Sequence, residues 1–182
     1  MIDPVLFSDV AAWRVWLDEN EDLSDGLWLL LAKKNADAPT TLSYAEALEE
    51  ALCSGWIDGQ KRSHNEAMFM QRFTPRRPRS IWSQRNVGIV TRLIEEGRMR
   101  DRGLSEIEKA RADGRWDRAY AGSATAEVPD DLLDALAKMP AAAARFESLL
   151  AAERYSLLFQ LMTATPAQRP ARLEKVLKQL SG

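Results

Sequence analysis

The chain has 182 residues, enough for one domain or for two small domains that share a core. Its composition, 46% apolar and 29% charged with a net charge of −2, is that of a soluble globular protein. Cys53 is the only cysteine and His64 the only histidine, which excludes an intrachain disulfide, a thiolate metal cluster and a Cys/His zinc site. A site of carboxylates alone is not excluded, although no spacing of Asp and Glu resembles a calcium loop. We therefore predict no metal and no cofactor.

The N-terminal sequence does not indicate a targeting signal. It reaches the charged Asp9 and Arg14 without the long apolar stretch of a secretory signal. The longest apolar run, Leu27–Ala32, is far shorter than the roughly 20 residues that cross a bilayer. We expect a cytoplasmic protein that does not insert into membranes.

The first elements along the chain are predicted to be a helix and a buried strand. Ser8 is a candidate N-cap for a helix whose apolar face carries Trp13, Trp16 and Leu17 at positions i, i+3 and i+4. The run Leu27–Ala32 is short, continuous and bounded by turn residues, which fits a buried strand better than a helix.

A second helix and a hairpin follow. Ser43 and Glu46 have the spacing of a capping box, and Gly55 stands where a helix commonly ends. Residues 56–63 and 68–74 then form two runs separated by four residues, the spacing of an antiparallel hairpin. We expect this hairpin to pack on the helix before it.

From residue 83 onward the apolar residues recur at helical spacing, with Pro129 and Pro140 at first-turn positions. The predicted apolar stripes are Val87, Val90 and Ile94; Leu104, Ile107 and Ala110; Leu132, Leu133 and Leu136; Phe146, Leu149 and Leu150; Tyr155, Leu158, Phe159 and Met162; and Leu173, Val176, Leu177 and Leu180.

These elements predict an α+β fold, with a small antiparallel sheet and helices in the N-terminal half and a helical C-terminal half. We divide the chain into an α+β subdomain, residues 1–79, and a helical region, residues 80–182, that share one core. That core is expected to include Phe73, Trp82, Val87, Val90 and Ile94.

A cationic segment between Asp58 and Arg85 is the strongest indication of function. It holds seven Lys or Arg against two acids, a charge of +5, so the rest of the chain carries −7. Guanidinium groups match phosphate and carboxylate oxygens, tryptophan rings stack on planar groups, and a helix N-terminus accepts anions. The candidate anion- or ligand-binding residues are Trp56, Asp58, Arg72, Arg76, Arg77, Arg79, Trp82, Ser83 and Arg85.

A purely structural interpretation of the segment stays open. Arg76 and Arg77 would equally pair with acids such as Glu49 and Glu50 and fasten the sheet to the helices. Exposed salt bridges of that kind contribute only about 0–1 kcal/mol each.

The chain resembles a known family through several motifs. They are SYAEAL at residues 43–48, CSGWIDG at 53–59, QRFTPRR at 71–77, WS at 82–83 and Asn86. The chain is similar over nearly its whole length to the YdeI/OmpD-associated (OmdA-type) family, bacterial proteins labelled as bacteriocin-protection proteins. Its second half resembles the OmpD-associated module, and its first half is similar to small α+β domains of the frataxin-like kind. The resemblance implies bacteriocin tolerance and carries over no catalytic residue.

Two functional hypotheses follow. The first is a non-enzymatic tolerance or stress protein that binds an anionic partner, such as a nucleotide, a nucleic acid or an acidic protein surface. The second is a small enzyme that acts on a phosphorylated or carboxylated metabolite with Asp58 as acid/base, although Asp58 and Gly59 would equally form a strand-edge bulge. The first is favoured because the sequence shows no recognisable nucleophile, metal-ligand set or cofactor loop. Sequence-specific DNA recognition is disfavoured by the acidic bulk of the chain.

Overall fold

Eight helices and three strands occur in residues 3–182, the part of the chain that a computed structural model describes. The helices are α1 (Val10–Asn20), α2 (Tyr44–Cys53), α3 (Gln84–Glu95), α4 (Asp101–Ala112), α5 (Asp130–Ala137), α6 (Pro140–Ser148), α7 (Ala151–Met162) and α8 (Arg169–Ser181). The strands are β1 (Leu27–Ala32), β2 (Trp56–Ser63) and β3 (Met68–Pro75). The predicted α+β class with a helical C-terminal half is confirmed.

The chain divides into two compact units. The first consists of the described residues up to Ser80 together with Gly88–Asp113, and it contains the sheet, α1, α2 and α4. The second consists of Ile81–Val87 and Gly114–Gly182, and it contains α5 to α8. The third helix, α3, begins in the second unit and ends in the first.

The sheet of the first unit is antiparallel, in the order β1-β3-β2. This confirms the predicted hairpin, whose first strand β2 packs against α2. The pairing of β2 with β3 shifts between Asp58 and Lys61, which is a β-bulge. Buried Gln71 fills the bulge, since its Nε2 donates to the carbonyl oxygens of Gly59 and Gln60 at 2.9 and 3.3 Å.

The second helix begins and ends as its sequence predicts. The Ser43 hydroxyl accepts a hydrogen bond from the Glu46 backbone N–H at 3.3 Å, and the Glu46 carboxylate accepts one from the Ser43 N–H at 2.9 Å. At the other end Gly55 has φ of +69°, which L side chains rarely adopt. A Cβ at Gly55 would also lie 3.1 Å from the carbonyl oxygen of Arg102. Glycine is therefore required where α2 turns into β2.

The N-cap predicted for the first helix was wrong by one residue. Asp9, not Ser8, caps α1, because its Oδ1 accepts a hydrogen bond from the Ala12 backbone N–H at 2.9 Å. Ser8 supports the cap by donating from its hydroxyl to Asp9 Oδ2 at 3.2 Å. Both residue types favour this position, and a carboxylate accepts the stronger, charge-assisted bond.

The core of the first unit is rich in aromatic rings. Trp13, Trp56 and Phe73 are fully buried, and the Trp13 ring lies 5.9 Å from Phe73 and 6.4 Å from Trp56 between centroids. Half-buried Trp16 meets Trp56 edge-on at 5.8 Å. Such tilted and edge-on pairs are the arrangements that aromatic quadrupoles favour. The predicted burial of Phe73 is confirmed.

Several members of the predicted helical stripes are exposed. On α3 the buried side chains are Val90 and Leu93, whereas Ile94 is 38% exposed. Periodicity locates an apolar stripe only to within one position, and Leu93 takes the place expected for Ile94. The other exposed stripe members are Leu104, Leu133 and Leu150.

The second unit has its own apolar core from α5 to α8. It consists of Leu132, Leu136, Ala142, Phe146, Leu158, Leu161, Val176 and Leu180. An ion pair ties α8 to α5, because Arg169 Nε and Nη2 each donate to the Asp131 carboxylate at 2.7 Å. No helix in the described part of the chain is long and apolar enough to cross a membrane.

Candidate anion-binding site

Five cations of the predicted segment lie on the hairpin and the loop after it. They are Lys61, Arg62, Arg72, Arg77 and Arg79, referred to below as the hairpin cations. Arg72 is half-buried and the other four are exposed. Within residues 3–182 none of the five forms an ion pair with a carboxylate. Lys61 lies on one face of the sheet and Arg62 and Arg72 on the other, because successive strand residues alternate between faces, and Arg77 and Arg79 follow in the loop.

Two of the hairpin cations lie over aromatic rings. The Lys61 ammonium is 4.2 Å from the centroid of the Phe69 ring, and the Arg62 guanidinium is 4.8 Å from that of Trp28. At exposed sites a cation–π contact contributes about 0.5–1 kcal/mol. The rings therefore hold both cations near the sheet and leave their outer N–H groups available to an anion.

Arg76 does not belong to this surface. It was expected to be exposed beside Arg77, but it is only 6% exposed. Its backbone N–H donates to the carbonyl oxygen of Gly55 at 3.0 Å, which continues the pairing of β3 with the start of β2. The chain thus turns the Arg76 side chain inward and Arg77 outward.

Neither predicted stacking tryptophan offers a free ring face. Trp56 is 0% exposed within the aromatic core, and its indole N–H donates to the carbonyl oxygen of Glu21 at 3.1 Å. Trp82 is 2% exposed, with its ring 5.2 Å from that of Trp116 in the second unit. The expectation that these rings stack on a ligand was wrong, because both faces of each ring are buried in apolar packing.

Three further candidates have structural contacts. Asp58 stands at the β-bulge and accepts a hydrogen bond from the Tyr44 hydroxyl at 2.7 Å. Ser83 caps α3, because its hydroxyl oxygen accepts from the Asn86 backbone N–H at 3.1 Å. Arg85 is exposed in the first turn of α3, in the second unit.

The acids expected to pair with Arg76 and Arg77 have other partners. Glu49 pairs with Arg92 and, at 2.8 Å, with Arg98. Glu50 pairs with Arg14, Arg98 and Arg100 at 2.7, 2.9 and 3.3 Å. The proposed fastening of Arg77 by these acids is therefore wrong. In the structure Arg77 is exposed, and it forms no ion pair with a carboxylate of residues 3–182.

The arginines around Glu50 form a second cationic feature, which the sequence interpretation missed. They line a cleft of about 420 Å³ formed by Arg14, Asp18, Glu50, Gly97, Arg98 and Arg100, called the Glu50 cleft below. Arg98 and Arg100 lie 48 and 50 residues from Glu50 along the chain, so no local sequence motif indicates the cluster. The only sequence signal is the closely spaced arginines between Gly97 and Gly103.

Glu50 is the centre of this cluster. Its side chain is 2% exposed, and burial by itself raises the pKa of a carboxyl group. Hydrogen bonds from Arg14 and Arg98 outweigh burial, and the pKa of Glu50 lies below its ordinary value. The same hydrogen bond raises the pKa of Arg14. No group of His, Cys, Asp and Glu in residues 3–182 is arranged to hold a metal ion.

Comparison with known families covers most of the chain. Residues 5–106, more than half of the chain, match the family model described as Domain of unknown function (DUF8412). The chain belongs to this family. Both the hairpin cations and the Glu50 cleft lie within the DUF8412 match.

Residues 125–182 match a second family model, described as Bacteriocin-protection, YdeI or OmpD-Associated. This confirms the inferred family for residues 125–182, whereas the motifs at residues 43–86 lie within the DUF8412 match, so the resemblance over nearly the whole chain is not confirmed. The match begins well after residue 80, and the division of the chain at residue 79 stays a prediction. The comparisons with curated proteins and with solved structures gave no match.

Proposed function

We propose that this DUF8412 protein is a cytoplasmic, non-enzymatic tolerance protein that binds a polyanionic partner through the hairpin cations. The single observation that carries the proposal is that these five side chains have no acidic partner within residues 3–182, in a chain of net charge −2. Several acids elsewhere pair with other arginines instead, among them Asp18, Glu49, Glu50 and Asp131. The match of residues 125–182 supports the bacteriocin-protection part of the proposal.

An extended partner fits this surface better than a small one. The hairpin cations are spread over two strands, both faces of the sheet and a loop, so only an extended partner that passes along the exposed edge of β2 would contact several of them at once. Arg72 and Arg62 add fork-shaped donors that match such oxygens, whereas Lys61 adds a point charge. Each contact releases counterions, which makes the binding dependent on salt.

Protection of an exposed strand is the structural alternative. Lysine and arginine on an edge strand discourage pairing with other chains, and β2 is such a strand. This explanation accounts for Lys61 and Arg62. It does not account for Arg77 and Arg79, which follow the last strand of the sheet.

Salt-dependent binding of a labelled polyphosphate chain tests the proposal. Replacing both Arg77 and Arg79 by alanine should weaken binding and lower the slope of log affinity against log salt, by roughly 0.7 for each lost phosphate contact if polyphosphate behaves as a single-stranded nucleic acid does. The matched control replaces exposed Arg172 and Lys175 on α8, the same loss of charge in the other unit. Equal losses in the two double variants would mean that net charge alone drives binding, and the proposal would fail.

The geometry of residues 3–182 does not favour the alternative of an enzyme with Asp58 as acid/base. The Asp58 carboxylate is bound to Tyr44, and its strand is fixed by the Gln71 hydrogen bonds at the bulge. These contacts favour a structural role for the Asp58 carboxylate.

A further inference from the structure

The Glu50 cleft holds more hydrogen-bond donors than its acids use. A guanidinium has five N–H groups. Arg14 uses two of them, both on Glu50, at 2.7 and 3.0 Å. Arg98 makes three hydrogen bonds, to Glu49, Glu50 and Glu96, and Arg100 also makes three. Each arginine therefore keeps donors that no residue between 3 and 182 occupies.

The two carboxylates of the cleft differ in how firmly they are held. Glu50 is 2% exposed and receives three arginines, so it is a fixed part of the cleft wall. Asp18 is 52% exposed, stands near the end of α1 and binds only Arg100 Nε, at 2.5 Å. An exposed ion pair of that kind contributes only about 0–1 kcal/mol. Asp18 is thus the carboxylate that an external anion can replace.

The charge of the lining sets the charge of the ligand. Arg14, Arg98 and Arg100 carry three positive charges and Glu50 removes one. Glu49 and Glu96, which pair with Arg98, remove two more, and Arg92, which pairs with both acids, restores one. One positive charge remains when the Asp18 side chain turns away, so the cleft then favours an anionic group. The fork geometry of guanidinium suits phosphate oxygens, which accept two parallel N–H bonds.

We propose that the Glu50 cleft binds a phosphate group through Arg14, Arg98 and Arg100, and that Asp18 is a built-in competitor for the same donors. The cleft volume of about 420 Å³ exceeds one phosphate group and lies in the range of small-molecule pockets, about 300–1,000 Å³. The ligand class is therefore a small phosphate monoester. This site is separate from the polyanion surface of the hairpin.

A structural clamp is the competing account of the same residues. The network joins α1 to α2 and to the segment before α4, and it would stabilise the unit without any ligand. The two accounts differ in the effect of removing Asp18. A clamp predicts no phosphate binding in any variant, whereas a site with a competitor predicts tighter binding.

Calorimetric titration at constant ionic strength, with ribose 5-phosphate and inorganic phosphate as probes, distinguishes the accounts. Asp18→Asn should tighten binding of ribose 5-phosphate about tenfold, because one nearby negative charge is lost and Arg100 is freed. Asp22→Asn is the matched control, since Asp22 binds Arg102 Nε at 2.7 Å outside the cleft. Asp22→Asn should change the affinity less than twofold.

Arg14→Ala should weaken the binding at least about tenfold, by the loss of charge-assisted hydrogen bonds. If that variant does not fold, the comparison of Asp18→Asn with Asp22→Asn decides by itself. A phosphate monoester site requires ribose 5-phosphate to bind more tightly than inorganic phosphate. Equal effects of the two Asp variants, equal affinity for the two probes, or no saturable binding in the Asp18→Asn protein would each overturn the proposal.

The titration separates this site from the hairpin surface. Replacing Arg77 and Arg79 by alanine removes two cations outside the cleft and should leave the ribose 5-phosphate affinity within twofold. Parallel losses for ribose 5-phosphate and polyphosphate in that variant would also contradict a separate site.

Discussion

The Glu50 carboxylate and the Arg14 guanidinium form a two-pronged ion pair, with donor–acceptor distances of 2.7 and 3.0 Å. Arg14 is on α1 and Glu50 on α2, so the pair links two helices that also share the apolar core. The Glu50 carboxylate is buried and ionised. Such a group contributes to stability only while its arginines remain bound to it.

The first prediction concerns the pH dependence of this pair. The folded-state pKa of Glu50 is lowered below its ordinary value of 4.5, so its stabilising contribution is complete above pH 4.5. The contribution is lost as the pH falls through the lower folded-state pKa. Glu50→Gln should reduce the free energy of unfolding at pH 7 by about 1–3 kcal/mol, a range that allows for the exposure of Arg14.

Denaturant unfolding at pH 7 and at several pH values below 4.5 checks this prediction. The difference between the parent protein and Glu50→Gln should shrink as the pH falls. Asp131→Asn is a control in the second unit, where a hydrogen bond from Arg169 lowers the pKa of Asp131. A Glu50→Gln difference that grows toward acid would contradict a lowered pKa of Glu50 in the folded protein.

A pair of helical glycines gives the second prediction. A Cβ at Gly103 on α4 would lie 2.1 Å from the backbone carbonyl oxygen of Cys53, whereas a Cβ at Gly88 on α3 would meet nothing within 4 Å. Gly103→Ala should therefore destabilise the protein by about 1–3 kcal/mol through overpacking. Gly88→Ala should stabilise it by about 0.5–1 kcal/mol, because alanine is the better helix former.

Thermal and denaturant unfolding of the two variants provide the measurement. The chemical change is identical, so the opposite signs isolate the contact between α4 and the end of α2. Stabilisation by both alanines would show that α4 does not closely approach the Cys53 carbonyl.

Phe73 is the subject of the third prediction. Its ring is fully buried and packs against Trp13 of α1, so Phe73→Ala should cost about 3–5 kcal/mol of unfolding free energy. Leu23→Ala is the control, since Leu23 is 83% exposed and its loss should stay within about 0.5 kcal/mol. A cost below about 1 kcal/mol for Phe73→Ala, measured by denaturant unfolding, would be incompatible with the aromatic core.

Local signals explain why much of the fold was predictable. The capping box of Ser43 and Glu46, the glycine at position 55 and the four-residue turn of the hairpin each act over a few residues. Propensity and hydrogen bonding decide such features before tertiary packing is added. The predicted α2, β2 and β3 accordingly match the structure, with β3 one residue longer.

The candidate site was less predictable because side-chain direction and ion pairing are tertiary properties. Arg76 and Arg77 are neighbours of the same type, yet one is buried and the other exposed. Trp56 follows the turn at Gly55, which directs its ring into the core, where the rings of Trp13 and Trp16 pack against it. Charge counting located the cationic segment but could not assign Glu50 to arginines about 50 residues away.

The last prediction uses the single cysteine as a probe of the first unit. Cys53 is fully buried at the end of α2, and burial raises the pKa of its thiol to about 11, with the charge of Glu50 acting in the same direction. Because the thiolate is the reactive form, native Cys53 should react with an aromatic disulfide reagent at pH 8 only when this part of the chain opens. The labelling rate should rise with denaturant in parallel with unfolding. It should also rise in Gly103→Ala, whose new methyl group presses on the Cys53 carbonyl, and stay low in Gly88→Ala. Labelling of the parent protein as fast as that of the unfolded chain would show an accessible thiol and contradict the packing of α4 against α2.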